Sequence, residues 1–74
     1  MRWQDLIETN PDVMVGKPVF KGTRLKVETV LRELGQGVST ADLVKQYPTM
    51  KPEFARAAML YAADRLEQLV DVAA

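Results

Sequence analysis

Four polar side chains crowd one short stretch: Lys45, Thr49, Lys51 and Arg56, set around Tyr47-Pro48. Cationic side chains at this spacing can reach phosphates or base edges, and a Thr hydroxyl can bond a phosphate. The chemistry on offer is contact with nucleic acid. Glu53 sits in the same turn and disfavours phosphate. A solvated charged surface around a structural turn accounts for the same residues, and both readings stand at this point. A second basic group precedes it. Residues 17–26 hold Lys17, Lys21, Arg24 and Lys26 and no acid. Lys21 and Arg24 are candidate anion contacts there, with a salt bridge from Arg24 to the helices as the alternative. A third group is apolar. Leu66, Leu69 and Val70 belong to the second half of a heptad-like seam, Ala55, Met59, Ala62, Leu66, Leu69 and Ala73, whose first half is expected to pack on the other two helices. A stripe projecting from a small core marks an interface with a partner protein or a second copy. For Leu66 the alternative is a fold back under the N-terminal segment, where it would cover Trp3 or Phe20.

Catalysis fares poorly by comparison. The chain has 0 Cys and 0 His, so the commonest general base, the commonest metal ligand and the thiolate nucleophile are all missing. Carboxylates are scattered along helix faces with no paired constellation. Gly35-Gln36-Gly37 precedes a helix but is neither a phosphate-binding loop nor a dinucleotide fingerprint. No enzyme, cofactor or metal is expected. Trp3 and Tyr61 can stack on bases, although ordinary packing is the favoured reading.

The elements that must position these groups follow from period and punctuation. Residues 1–26 read as extended. Ile7-Glu8-Thr9 is a β-prone run closed by Asn10-Pro11-Asp12, and Val13-Met14-Val15 follows. Pro18-Val19-Phe20 and Thr23-Arg24-Leu25 flank Lys21-Gly22, which predicts a hairpin turning there with Gly22 at positive φ. Val27, Val30, Leu31 and Leu34 then mark one helix face, stopped by Gly35 or Gly37. Ser39 caps a two-turn helix to Gln46 that buries Leu43 and Val44, and Pro48 ends it. Pro52 suits a helix N1 position, and the longest helix runs from there to about Val70. Hairpin, medium helix, short helix, turn, long helix: the class is mainly α, a three-helix helix-turn-helix core with a short N-terminal β-hairpin. The Pro52 helix takes the recognition role.

Size and charge add bounds. At 74 residues the chain holds one domain, 1–74, with a thin core, which favours a homodimer or a protein partner. Lys+Arg and Asp+Glu balance at 10 each, so no strong sequence-independent grip on phosphate is expected. The hairpin is nevertheless basic and residues 64–74 are acidic, with Asp64, Glu67 and Asp71 against Arg65. No apolar run reaches membrane-spanning length and the first residues lack a signal-peptide stretch, so the expected location is the cytoplasm.

The same residues fall in a familiar order. Asn10-Pro-Asp-Val13, Gly16-Lys-Pro-Val19, Lys21-Gly-Thr-Arg24-Leu25, Gly37-Val-Ser39, Leu43, Tyr47-Pro48 and Ala57-Ala58…Tyr61-Ala62 resemble DUF433, a domain family of unknown function. The resemblance covers about residues 6–63. Two positions depart from the family pattern: Lys26 stands where Pro is usual, and Val15 where a second Gly is usual. The resemblance implies a homeodomain-like trihelical fold and the role of an antitoxin in a type II toxin–antitoxin pair. It implies a PIN-like ribonuclease toxin as partner and operator DNA as ligand, through which the protein represses its own operon. The expected assignment is therefore a DNA-binding antitoxin using Lys45, Thr49, Lys51 and Arg56 on DNA and Leu66, Leu69 and Val70 on a partner. A protein-interaction module without DNA binding is the alternative.

Overall fold

Asn10-Pro11-Asp12 turns the chain first. The Asn10 side-chain oxygen accepts from the Asp12 amide at 2.9 Å, fixing an Asx turn. In the computed structural model, which describes residues 2–69, that turn joins β1 (Ile7–Asn10) to β2 (Val13–Phe20) as an antiparallel pair. A single 3-10 turn, Trp3–Asp5, precedes them. Helices α1 (Val27–Gly35), α2 (Thr40–Gln46) and α3 (Pro52–Leu69) complete the order. The described residues thus form three helices with an N-terminal two-stranded hairpin.

The hairpin differs from the sequence expectation in where it turns. Ile7 pairs with Phe20 and Thr9 with Pro18, so β2 returns along β1 and not along residues 23–25. Lys21-Gly22 does make a tight turn, with Gly22 at φ 77°, but the chain beyond it meets β2 only in an isolated bridge between Val19 and Lys26. Both segments carry turn residues. Pairing Ile7 with Phe20 places two buried apolar side chains side by side in a continuous ladder. Lys26 then serves as the N-cap of α1 at φ −76°, within the range a proline ring allows.

The helix boundaries follow local chemistry. Gly37, at φ 93°, closes α1 in a Schellman arrangement: the Gly37 amide donates to Leu34 and the Val38 amide to Glu33, each at 3.0 Å. Ser39 Oγ accepts from the Asp42 amide at 3.1 Å and caps α2. Tyr47 is extended before Pro48, and α3 restarts at Pro52. These hydrogen bonds set short connections, and short connections bring the apolar faces together. Phe20, Val27, Val30, Leu43, Met50, Phe54, Ala57 and Ala58 are buried in one cluster. Phe20 and Phe54 stack with ring centroids 4.2 Å apart and an interplanar angle of 2°. Two expected core positions lie elsewhere. Val44 is exposed, because the short α2 presents only Leu43 inward, and Met59 is 53% exposed on the outer face of α3.

Strain gathers at one place. The register slips between Thr9 and Asn10, and residues 14–17 take up the slack. Met14, Val15 and Gly16 there have φ of 50°, 58° and 78°. A β-branched residue in the left-handed region is costly, and Val15 is 92% exposed, so no packing offsets it. This is the position where the resembled pattern has glycine. Val15→Gly is expected to stabilise the fold by about 0.5–1 kcal/mol, the relieved strain outweighing the added unfolded-state entropy. Urea unfolding checks this; a lower midpoint for the variant would show that the segment is unstrained.

Candidate nucleic-acid interface

The Phe20–Leu25 turn is held by its own threonine. Thr23 Oγ1 donates to the Phe20 carbonyl at 2.7 Å and accepts from the Leu25 amide at 3.0 Å. The Thr23 amide also donates to Phe20, and the Lys21 amide to Leu6. With its hydroxyl so engaged, Thr23 fixes the loop and leaves Lys21 and Arg24 exposed on either side. Opposite stands the connection between α2 and α3. Tyr47 OH donates to Glu33 Oε2 at 2.5 Å, tying that connection to α1. The Met50 amide donates back to the Tyr47 carbonyl at 3.0 Å, and Thr49 sits exposed inside this closed turn.

Between the two turns runs an open cleft of about 720 Å³. Arg24 and Lys26 line one wall, Tyr47, Pro48 and Thr49 the other, with Thr29 of α1 and Glu8 of β1 between them. The structure therefore brings together two residues that the sequence suggested separately, Arg24 and Thr49. Lys21, Lys45, Lys51 and Arg56 do not line the cleft; all four are exposed. Lys26, Thr29 and Glu8 were not anticipated. Lys26 was visible as a charge, but nothing local marks Glu8 as a neighbour of residues some forty positions on.

Electrostatics separate these cations from the rest. Lys17 of β2 bonds Glu28 of α1 at 3.0 Å, and Arg32 reaches the same carboxylate at 3.6 Å. The Lys17 hydrogen bond and charge hold Glu28 below the ordinary carboxylate value. It is thus Lys17, and not Arg24, that anchors the hairpin to the helices. Among the described residues no ion pair involves Lys21, Arg24, Lys45, Lys51 or Arg56. Cations without an acidic neighbour remain available to a polyanion. Among the same residues no acidic cluster of metal-binding size occurs.

The remaining candidates lie on α3. Leu66 is 60% and Leu69 74% exposed, while Val70 falls outside the described residues. Leu66 does not fold back onto Trp3. Tyr61 and Asp64 occupy that place: Trp3 packs edge-on against Tyr61 at 4.9 Å, and its indole N–H donates to Asp64 at 2.6 Å. Trp3 and Tyr61 are thus packed against each other, as ordinary packing requires. No described helix is long and apolar enough to cross a membrane.

Comparison with known proteins gives one family. The family described as "Protein of unknown function (DUF433)" matches residues 7–62. A curated relative, "Uncharacterized protein y4eO" of Sinorhizobium fredii, is 30% identical over 59 residues. The match covers 80% of this chain and 27% of that relative, so the chain spans about a quarter of the relative's length. No solved structure matches.

The Tyr47–Glu33 contact makes the cleft's rim titratable. The hydrogen bond to Glu33, with lesser contributions from burial and the carboxylate charge, raises the Tyr47 phenol above 10.0. A raised pKa means the contact is fully present below the ordinary tyrosine value and is lost as pH rises through the folded one. Glu33→Gln removes the negative acceptor and is expected to return the Tyr47 midpoint toward 10.0, read from its ring resonances by NMR. An unchanged midpoint would show that Glu33 is not the cause.

Proposed function

The chain belongs to the DUF433 family, and from that membership we propose that it is a DNA-binding antitoxin: a homodimeric helix-turn-helix protein, homeodomain-like in its three helices, that represses its own operon in the cytoplasm and neutralises a PIN-like ribonuclease. The observation that carries the DNA reading is the set of exposed cations that, among the described residues, are in no ion pair, with Arg24 lining the cleft. Lys45 ends α2, Lys51 precedes α3 and Arg56 lies in its second turn. Arg24 and Thr49 face one another across the cleft from separate turns. In this reading α2 and α3 form the helix-turn-helix and α3 enters the major groove by its N-terminal end. Its five-residue connection, residues 47–51, is longer than the usual three or four, and the Tyr47–Glu33 bond supplies the rigidity that a tighter turn would have. Net charge of zero then acts as a filter: with little attraction to phosphate at large, binding depends on local geometry.

The family resemblance supplies the toxin, and the exposed Leu66 and Leu69 offer it or a second copy a docking surface. The same exposed leucines favour a second reading, a protein-interaction module with no DNA role.

Salt dependence separates the two. Binding of the chain to duplex DNA from immediately upstream of its own coding sequence is measured by fluorescence anisotropy across a salt series. Phosphate contact predicts a steep fall in affinity with salt, and Lys51→Glu or Lys45→Glu each weakens binding about tenfold and flattens the slope. No binding at low salt, or binding untouched by either reversal, would remove the DNA role and leave the interaction module.

A further inference from the structure

The outer face of α3 carries an arrangement that matches itself when reversed. Met59, Ala62, Ala63 and Leu66 are spaced symmetrically about the point between the two alanines: large, small, small, large. At about 100° per residue they fall within an arc of about 100°. Met59 is 53% and Leu66 60% exposed, Ala63 is exposed and Ala62 half-buried. Of the helix's buried residues, Phe54, Ala57 and Ala58 lie on the other side, where Trp3 also packs on Tyr61, and Ala55 lies within the arc one turn before Met59. From Met59 onward the stripe's Met59, Ala63 and Leu66 are exposed among the described residues.

Charge on its border is also self-complementary. Relative to Met59, Arg56 lies about 60° and Glu67 about 80° around the helix, on the same flank of the stripe. Both are exposed, and among the described residues neither is in an ion pair. Two antiparallel helices related by a two-fold axis bring like flanks together. Arg56 of one copy then meets Glu67 of the other, and the pair occurs twice. In the same register Met59 packs on the partner's Leu66, and the alanines meet at the axis, where small side chains permit close approach.

We propose that the occupant of this face is a second copy of the chain, docked antiparallel along α3 about the Ala62–Ala63 midpoint. The proposal specifies the surface and direction of a dimer and does not depend on DNA or toxin binding. A parallel pair would place Arg56 and Glu67 of the two copies on opposite flanks, out of pairing reach, and leave Met59 and Leu66 out of mutual reach. The arrangement takes Arg56 out of the set of exposed cations, so in the dimer DNA contact would fall to Arg24, Lys45, Thr49 and Lys51.

Sedimentation equilibrium on the full chain tests the association. The expected species is a dimer at micromolar concentration. Ala63→Glu, at an exposed position that the fold does not need, is expected to give a monomer with unchanged helical circular dichroism. Arg56→Glu and Glu67→Arg each place like charges across the axis twice and are expected to weaken the dimer about tenfold, and the double reversal to restore it. The chain has 0 Cys, so Ala63→Cys places a lone thiol beside the axis, and mild oxidation is expected to yield a covalent dimer. A wild-type monomer, a dimer that survives Ala63→Glu, or a double reversal no tighter than the single variants would overturn the proposal. The salt series on DNA does not read association, so DNA binding can fail while the dimer stands; a wild-type monomer would remove both this surface and the homodimer of the proposed function, whereas a dimer that survives Ala63→Glu would remove this surface alone.

Discussion

The contact on which the rest depends is the stack of Phe20 on Phe54. Phe20 closes β2, and Phe54 opens α3; the rings lie parallel, both buried. Burying an aromatic pair is among the largest single contributions a core this small can draw on. It also sets geometry. By fixing the end of the hairpin against the start of α3, it determines where the chain leaves β2 and hence where the Lys21–Lys26 turn stands. The α2–α3 connection, immediately before Phe54, is fixed by the same contact from the other side. The cleft between those turns is thus a by-product of one ring pair and the short loops at either end of it.

Around that stack the polar groups do two separate jobs. Thr23, Ser39, Asn10 and the Tyr47–Glu33 pair satisfy backbone and turn geometry at the rim. The Lys17–Glu28–Arg32 group fastens the hairpin to α1. Among the described residues no buried side-chain polar atom lacks a partner. Among the described residues the one ion-paired acid, Glu28, lies on α1. A balanced total charge is therefore compatible with a locally basic edge, and the balance alone was a poor guide to the surface.

Helices were legible because their signals are local. The Val27 face, the Ser39 cap and Pro52 each act within a few residues, and the boundaries of α1 and α2 follow them. The hairpin was legible in part. Asn10-Pro-Asp and Lys21-Gly both encode turns, and the choice between them rests on burying Ile7 with Phe20, a tertiary matter. Val44 and Met59 were misassigned for a related reason: periodicity marks an apolar face, but the number of neighbours available decides whether that face is covered. The Trp3–Asp64 and Arg24–Thr49 juxtapositions join distant parts of the chain, and no spacing rule reaches across that distance. Val15 is a different case: its departure from the resembled pattern was visible in the sequence, but only its backbone angle shows it to be strained.

The packing of Trp3 has a practical sequel. It is the sole indole in the chain, its ring edge-on to Tyr61 and its N–H held by a carboxylate. Emission excited at wavelengths that Tyr47 and Tyr61 do not absorb therefore arises from one fluorophore, attached to the first turn but seated on the middle of the longest helix. Its wavelength reports whether those two stretches are joined, since separation would expose the ring to water and release the Asp64 carboxylate. The molecule carries a built-in optical gauge of how its N-terminal turn sits on α3.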